Sequence, residues 1–248
     1  MRYILGQIAE EQKQWPRAIE WYKQIEDGDH ALSARMRTAG AIAKQGRLDE
    51  AREYLKRIEP AGPGEQVQLL VAEAQLLREA NRHRDAYDML DQALQKAPDQ
   101  PDLLYDYALT AEKLERYDVA EENLRKLIQV RPDHAHAYNA LGYSFAERNT
   151  RLPEARKLIE KALELSPEDY FILDSFGWVL YRQGDLAGAA RELRRAYAGR
   201  PDAEIGAHLG EVLWVMGERE EAERIWKEAL EAGPENETLQ KTIQRLKR

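Results

Sequence analysis

The sequence predicts an all-α repeat array of seven helix pairs followed by one further helix, and three observations predict it. Ala18, Ala51, Ala86, Ala120, Ala155, Ala189 and Ala222 recur at spacings of 33, 35, 34, 35, 34 and 33 residues. A second small-residue series, Gly6, Ala39, Ala74, Ala108, Gly142, Gly177 and Gly210, runs twelve residues ahead of the first, or thirteen at Ala155. Pro98, Pro132, Pro167, Pro201 and Pro234 close five of the units. Small residues let two helices approach closely, and a proline ends the second helix before the next unit starts. Neither helix of such a pair buries its apolar stripe alone, so adjacent units supply the missing wall.

Taken in order, the units span about 1–31, 32–66, 67–100, 101–134, 135–169, 170–202 and 203–235, a single array closed by a helix over 236–248. In the first, Gly6 and Ala18 place Met1 about two residues into a helix with no N-cap. The natural start, with any targeting signal, is therefore expected upstream. The second unit runs into Pro60-Ala-Gly-Pro-Gly64, which displaces the usual proline and predicts a looser junction to the third. The fifth carries one extra residue in Asn149-Thr-Arg-Leu-Pro153, where a turn absorbs it without rotating an apolar face. In the sixth, helix A covers Asp169 to Arg182 and helix B covers Leu186 to Ala198, with Gly184 taking the left-handed conformation between them. Trp226 falls at a core position of the last pair, whereas Trp15, before Pro16, packs a turn. Asn236 is the N-cap of the final helix, which runs through Gln240, Ile243, Leu246 and Arg248 and covers that pair.

Composition excludes several function classes. The formal charge is -8, and no Lys/Arg block stands apart from compensating acids, which argues against nucleic acid as a partner. The absence of cysteine removes disulfides, thiolate metal sites and a cysteine nucleophile. No apolar run approaches the length of a membrane span. His134-Asp-His136 sets two imidazoles on different helix faces, so no metal is expected, and Glu121-Glu122 and Glu220-Glu221 read as solvated helix surface. No phosphate-loop, dinucleotide, zinc-protease or nucleophile-elbow motif occurs, so neither an enzyme nor a cofactor is expected.

The 34-residue spacing and its residue types resemble the tetratricopeptide repeat over the whole chain. The resemblance implies a right-handed superhelical solenoid whose A helices line a concave groove that binds a protein or peptide. Transferred by register, the groove takes Met36, Gly40 and Lys44, then Val71, Gln75 and Arg78, then Tyr105, Leu109 and Glu112. It continues with His136, Asn139, Tyr143 and Glu147, with Phe171, Asp174, Trp178, Tyr181 and Arg182, and with Ala207, Glu211 and Trp214. The candidate partner-binding residues are Tyr105, Asn139, Tyr143, Phe171, Asp174, Trp178, Tyr181, Arg182, Glu211 and Trp214. Rings offer large contact area at low entropy cost, and the polar members could pair with a ligand. In the alternative reading, the rings pack against each other or a neighbouring helix. On the binding reading, replacing Trp178 and Trp214 by alanine leaves folding nearly intact. A clamp for a terminal carboxylate needs Lys, Arg and Asn, and only Asn139 fits.

Asn139-Ala-Leu-Gly-Tyr143, Leu173-Asp-Ser-Phe-Gly-Trp-Val-Leu-Tyr181, Ala207-His-Leu-Gly-Glu-Val-Leu-Trp214 and Glu223-Arg-Ile-Trp226 are similar to the C-terminal repeats of proteobacterial outer-membrane adaptor lipoproteins. That narrower resemblance implies a periplasmic scaffold, anchored through an upstream lipidated segment, that binds a carboxyl-terminal processing protease and delivers substrates to it. The alternatives are a module that self-associates through its aromatic groove and a cytoplasmic scaffold with unrelated partners.

Overall fold

The computed structural model describes residues 1–247 and contains, among them, fifteen α-helices and no strand. Close packing divides the chain into two compact units, residues 1–123 and 124–248. The first contains α1 (Arg2–Glu11), α2 (Trp15–Lys23), α3 (Ala31–Ala43), α4 (Leu48–Lys56), α5 (Pro63–Glu79), α6 (His83–Lys96) and α7 (Pro101–Lys113). Helix α8 (Tyr117–Val130) contains the boundary. The second unit contains α9 (Ala135–Glu147), α10 (Leu152–Leu165), α11 (Tyr170–Arg182), α12 (Leu186–Gly199), α13 (Ala203–Met216), α14 (Arg219–Ala232) and α15 (Glu237–Leu246). The A and B helices of each pair alternate as the spacing requires.

The two small-residue series are the contact points of each pair. All seven alanines of the first series are at most 1% exposed. Opposite them, a Cβ added to Gly142 would come within 2.6 Å of the Ile159 side chain and 2.9 Å of the Ala155 carbonyl oxygen. Gly210 leaves room for the indole of Trp226, which a Cβ there would meet at 2.0 Å. Trp226 is accordingly buried in the core of the second unit with Leu193, Ile205, Leu209 and Leu213. In the first unit Ala9, Ala18, Tyr22 and Ala34 form one seam, and Ala39, Ile42, Leu55, Leu69 and Leu76 belong to another.

Each A-to-B turn places one residue in the left-handed region: Lys13, Gly46, Asn81, Glu115, Asn149, Gly184 and Gly217. Backbone N–H groups just after these residues donate across the helix end, as from Arg116 to Ala111 at 2.9 Å and from Asp185 to Leu180 at 3.0 Å. These bonds satisfy carbonyls that the helix leaves unpaired. The extra residue of the fifth unit is absorbed as expected: Arg151 becomes a second left-handed residue, and α10 starts at Leu152 with Pro153 in its first turn. Each of the five closing prolines stands two residues beyond the last helical residue of its B helix.

The junction from the second repeat to the third is the looser one expected, with residues 57–62 outside any helix and mostly exposed. Helix α4 stops at Lys56, but Pro63 and Gly64 are already helical and lengthen α5 to 17 residues. The Ala61 N–H donates to Glu65 at 2.7 Å, which ties down the entry to that helix. At the other end Asn236 accepts from the Leu239 N–H, and α15 buries Leu239 against α13 and α14, with Ile243 and Leu246 at its edge. Arg248, expected to end this helix, lies outside the described residues.

Three of the seven turns satisfy the left-handed geometry with glycine at little cost, whereas Glu115 holds it against Cβ crowding of about 1–2 kcal/mol. Glu115→Gly is therefore expected to stabilise the chain by about 1 kcal/mol, and Gly184→Ala to destabilise it by about the same amount. Urea unfolding midpoints of the two variants should move in opposite directions.

Candidate functional site

In the C-terminal unit, the residues expected to line the groove do come together, but they largely satisfy one another. Asp174 and His208 face each other from α11 and α13, with His208 Nδ1 2.9 and 3.0 Å from the two carboxylate oxygens. Both side chains are buried. The Trp178 ring stacks on His208 with centroids 4.2 Å apart, and its indole N–H donates to Glu147 at 2.9 Å. The Tyr143 hydroxyl lies 3.5 Å from His208 Nε2, which joins α9 to the same cluster. Tyr181 donates through its hydroxyl to Glu211 at 3.1 Å, and Arg245 of α15 pairs with the same carboxylate.

This geometry corrects the groove reading for Asp174, Trp178 and Glu211, all of which are buried, and for Ala207, which is buried as well. Trp178 is only 4% exposed and has no half-ring to offer a ligand. Asn139, Tyr143, Tyr181, Arg182 and Trp214 are half-buried. Asn139 keeps a buried side-chain oxygen without a hydrogen-bond partner. The Arg182 guanidinium lies 5.6 Å from the Trp178 ring centroid, and Trp214 rests 5.4 Å from Trp226 beneath Arg219. Among these residues Phe171 stands out at 43% exposure, under the Arg200 guanidinium. His134 serves as N-cap of α9, its Nδ1 accepting from Ala137, while His136 faces Asp169 at 3.5 Å.

His208 is the residue that the groove register missed, since it sits one position after Ala207. A histidine in an A helix 34 residues after an aspartate in the preceding one was the available signal. Burial pulls its pKa down, but the attraction and hydrogen bond of Asp174, with Glu204 and Glu147 behind, outweigh this and raise it to about 9. The imidazolium then donates through both nitrogens, to Asp174 and to the phenol of Tyr143. Burial, followed by Glu147, Glu204 and Asp174, pushes the Tyr143 pKa well up, so that hydroxyl stays neutral.

The N-terminal unit is different. Met36, Gly40, Lys44, Val71 and Gln75, all assigned to the groove by register, line an open cavity of about 780 Å³ formed by α1, the start of α2, α3 and α5. Tyr3, Glu10, Glu11, Trp15, Arg37 and Glu79 also line it. Trp15 thus borders a cavity rather than only packing a turn. Nothing lies within 4 Å of a Cβ built on Gly40, so the floor is open there. Arg37 pairs with Glu10 and donates to the Tyr3 hydroxyl at 3.0 Å, and Lys44 pairs with Glu79 at 2.8 Å. Arg78, expected in the same surface, turns instead to Asp106 and to Thr110 at 3.2 Å. Tyr105, on α7 of the same unit, is half-buried and is not among the residues that line the cavity.

Two consequences are measurable. Because Trp178 is packed and hydrogen-bonded, Trp178→Ala is expected to cost about 3–5 kcal/mol, the range for a large buried ring. This reverses the expectation of near-intact folding and is read from chemical unfolding. For His208, the folded pKa of about 9 stands above the unfolded value. Its contribution is therefore fully present below about pH 6.5 and is lost as pH rises towards 9. The unfolding midpoint of the parent chain should fall over that window, and His208→Gln should flatten the fall.

Known proteins can be set beside this geometry. The tetratricopeptide repeat profile matches residues 25–65, 71–120 and 108–170, more than half of the chain. A tetratricopeptide repeat-containing protein of Pseudomonas aeruginosa is 43% identical over 209 residues, covering 84% of this chain but 35% of the relative's own length. A thermophilic tetratricopeptide repeat protein of Thermus thermophilus is similar with a TM-score of 0.65 and 25% identity, covering 73% of this chain and 98% of that one. A tetratricopeptide repeat protein of Parabacteroides merdae has the same fold, with a TM-score of 0.72, 18% identity and coverage of 98% and 96%.

Proposed function

We propose, because this chain belongs to the tetratricopeptide repeat family, that it is a protein-binding scaffold whose N-terminal groove seats a segment of a partner protein. The observation that carries this reading is the cavity of about 780 Å³ over Gly40, a volume within the range of small-ligand pockets. It is open and partly apolar, which suits a short extended stretch of chain. The polar cluster of the C-terminal unit supports a structural role there, because a buried and satisfied network rigidifies the helices that carry it. The His208–Asp174 pair is closed off from a substrate by burial, so the scaffold reading is non-catalytic.

Within that role, the finer reading is a periplasmic adaptor, held at the outer membrane by an upstream lipidated segment, that delivers substrates to a carboxyl-terminal processing protease. Its support is the similarity of the three C-terminal helix pairs to such adaptors. No helix among the described residues is long and apolar enough to cross a membrane.

The groove is tested by filling it. Gly40→Phe places a ring where nothing stands within 4 Å and removes a helical glycine, so folding should be retained or slightly strengthened. Random peptides selected on the parent chain should lose at least tenfold in affinity for this variant, whereas Phe171→Ala should change little. Equal affinity of the selected peptides for parent and Gly40→Phe would place recognition elsewhere.

A further inference from the structure

The lining of the N-terminal groove has a charge imbalance. Arg37 is committed to Glu10 and Lys44 to Glu79, and Gln75 also donates to Glu79 at 3.0 Å. Both lining cations are therefore neutralised from within. Glu11, at the edge formed by α1, has no ion-pair partner among the described residues, and Trp15 borders the same cavity. The floor between these charges is formed by Met36, Gly40 and Val71.

We propose that this groove selects an extended peptide in which a large apolar side chain is flanked by lysine or arginine; the proposal rests on the reading of the groove as a peptide site. The apolar side chain fills the space above Gly40, where Met36 and Val71 supply apolar contact. The basic side chain meets the one uncompensated carboxylate, and the Trp15 ring offers a face on which a cation is also stabilised. An acidic side chain in its place would have to break the Lys44–Glu79 or Arg37–Glu10 pair before it found a cation, and it would be repelled by Glu11. Hydrogen bonding adds to the fit. Gln68 and Ser33 line the cavity with side chains that make no hydrogen bond among the described residues, and so are free for the main chain of an extended ligand.

Three fluorescent decapeptide pools decide it: random sequence around a fixed Leu-x-Lys, around Leu-x-Glu, and around Ser-x-Lys. Anisotropy with the parent chain should rank the first pool about twofold to fivefold above the acidic one, the scale of pairing at a solvent-accessible edge, and at least as far above the serine pool, which lacks the apolar side chain. High salt should shrink its advantage over the acidic pool. Glu11→Lys should reverse the preference between the first two pools, and Gly40→Phe should abolish binding of all three. Binding that depends on Gly40 but ignores peptide charge and Glu11→Lys overturns the charge selection and leaves the groove reading standing. Binding of none of the pools by the parent, or equal binding by Gly40→Phe, overturns both. Self-association of the parent that Gly40→Phe removes would identify a second copy as the occupant and overturn the proposal.

Discussion

Helix pairs in this protein are held at a backbone separation that only alanine and glycine permit, and the rest of the structure depends on that contact. At Gly142 a single added carbon would press on the carbonyl of Ala155 and on Ile159. At that separation neighbouring side chains interlock as a close-packed interior does, with little tolerance for an extra methylene. The left-handed turn residue follows from the same constraint, because the chain must reverse within a few residues to bring helix B back onto helix A. Four units accept a strained non-glycine residue at that turn, which shows how firmly the pair contact imposes it.

The positions on the A helices that face away from the pair contact are used in two ways, and side-chain size decides between them. In the C-terminal unit, Tyr143, Trp178, Tyr181 and His208 are large enough to reach across to neighbouring helices, so they cover one another and draw Asp174, Glu147 and Glu211 in as hydrogen-bond partners. In the N-terminal unit, Gly40, Ala41 and Ala72 leave the equivalent surface unfilled, and the longer charged residues at the cavity edge pair with each other. A buried cluster with its donors and acceptors matched stiffens its surroundings. An open cavity with an apolar floor keeps contact surface available for a partner.

That contrast also explains where the sequence misleads. Aromatic density on successive A helices looks like a binding surface, since rings are good interface residues. The same rings are equally good at filling a gap between helices when a neighbour stands within reach. Trp178 has His208 on one face and Glu147 at its N–H, so the gap is filled from inside. Trp226 has the opposite history: its place in the core was readable because it falls on the apolar stripe of a B helix opposite Gly210.

The sequence by itself determined the repeat number, the order of A and B helices, the turn that absorbs the extra residue at Asn149 to Pro153 and the docking of the last helix. These features are local, each set by small-residue spacing, proline or capping within one unit or between adjacent ones. Tertiary structure alone decided which groove-facing residues remain available. Availability depends on the distance to side chains more than thirty residues away in the chain, as between Asp174 and His208 or Trp178 and Glu147. A register counts positions along one helix and carries no measure of that distance.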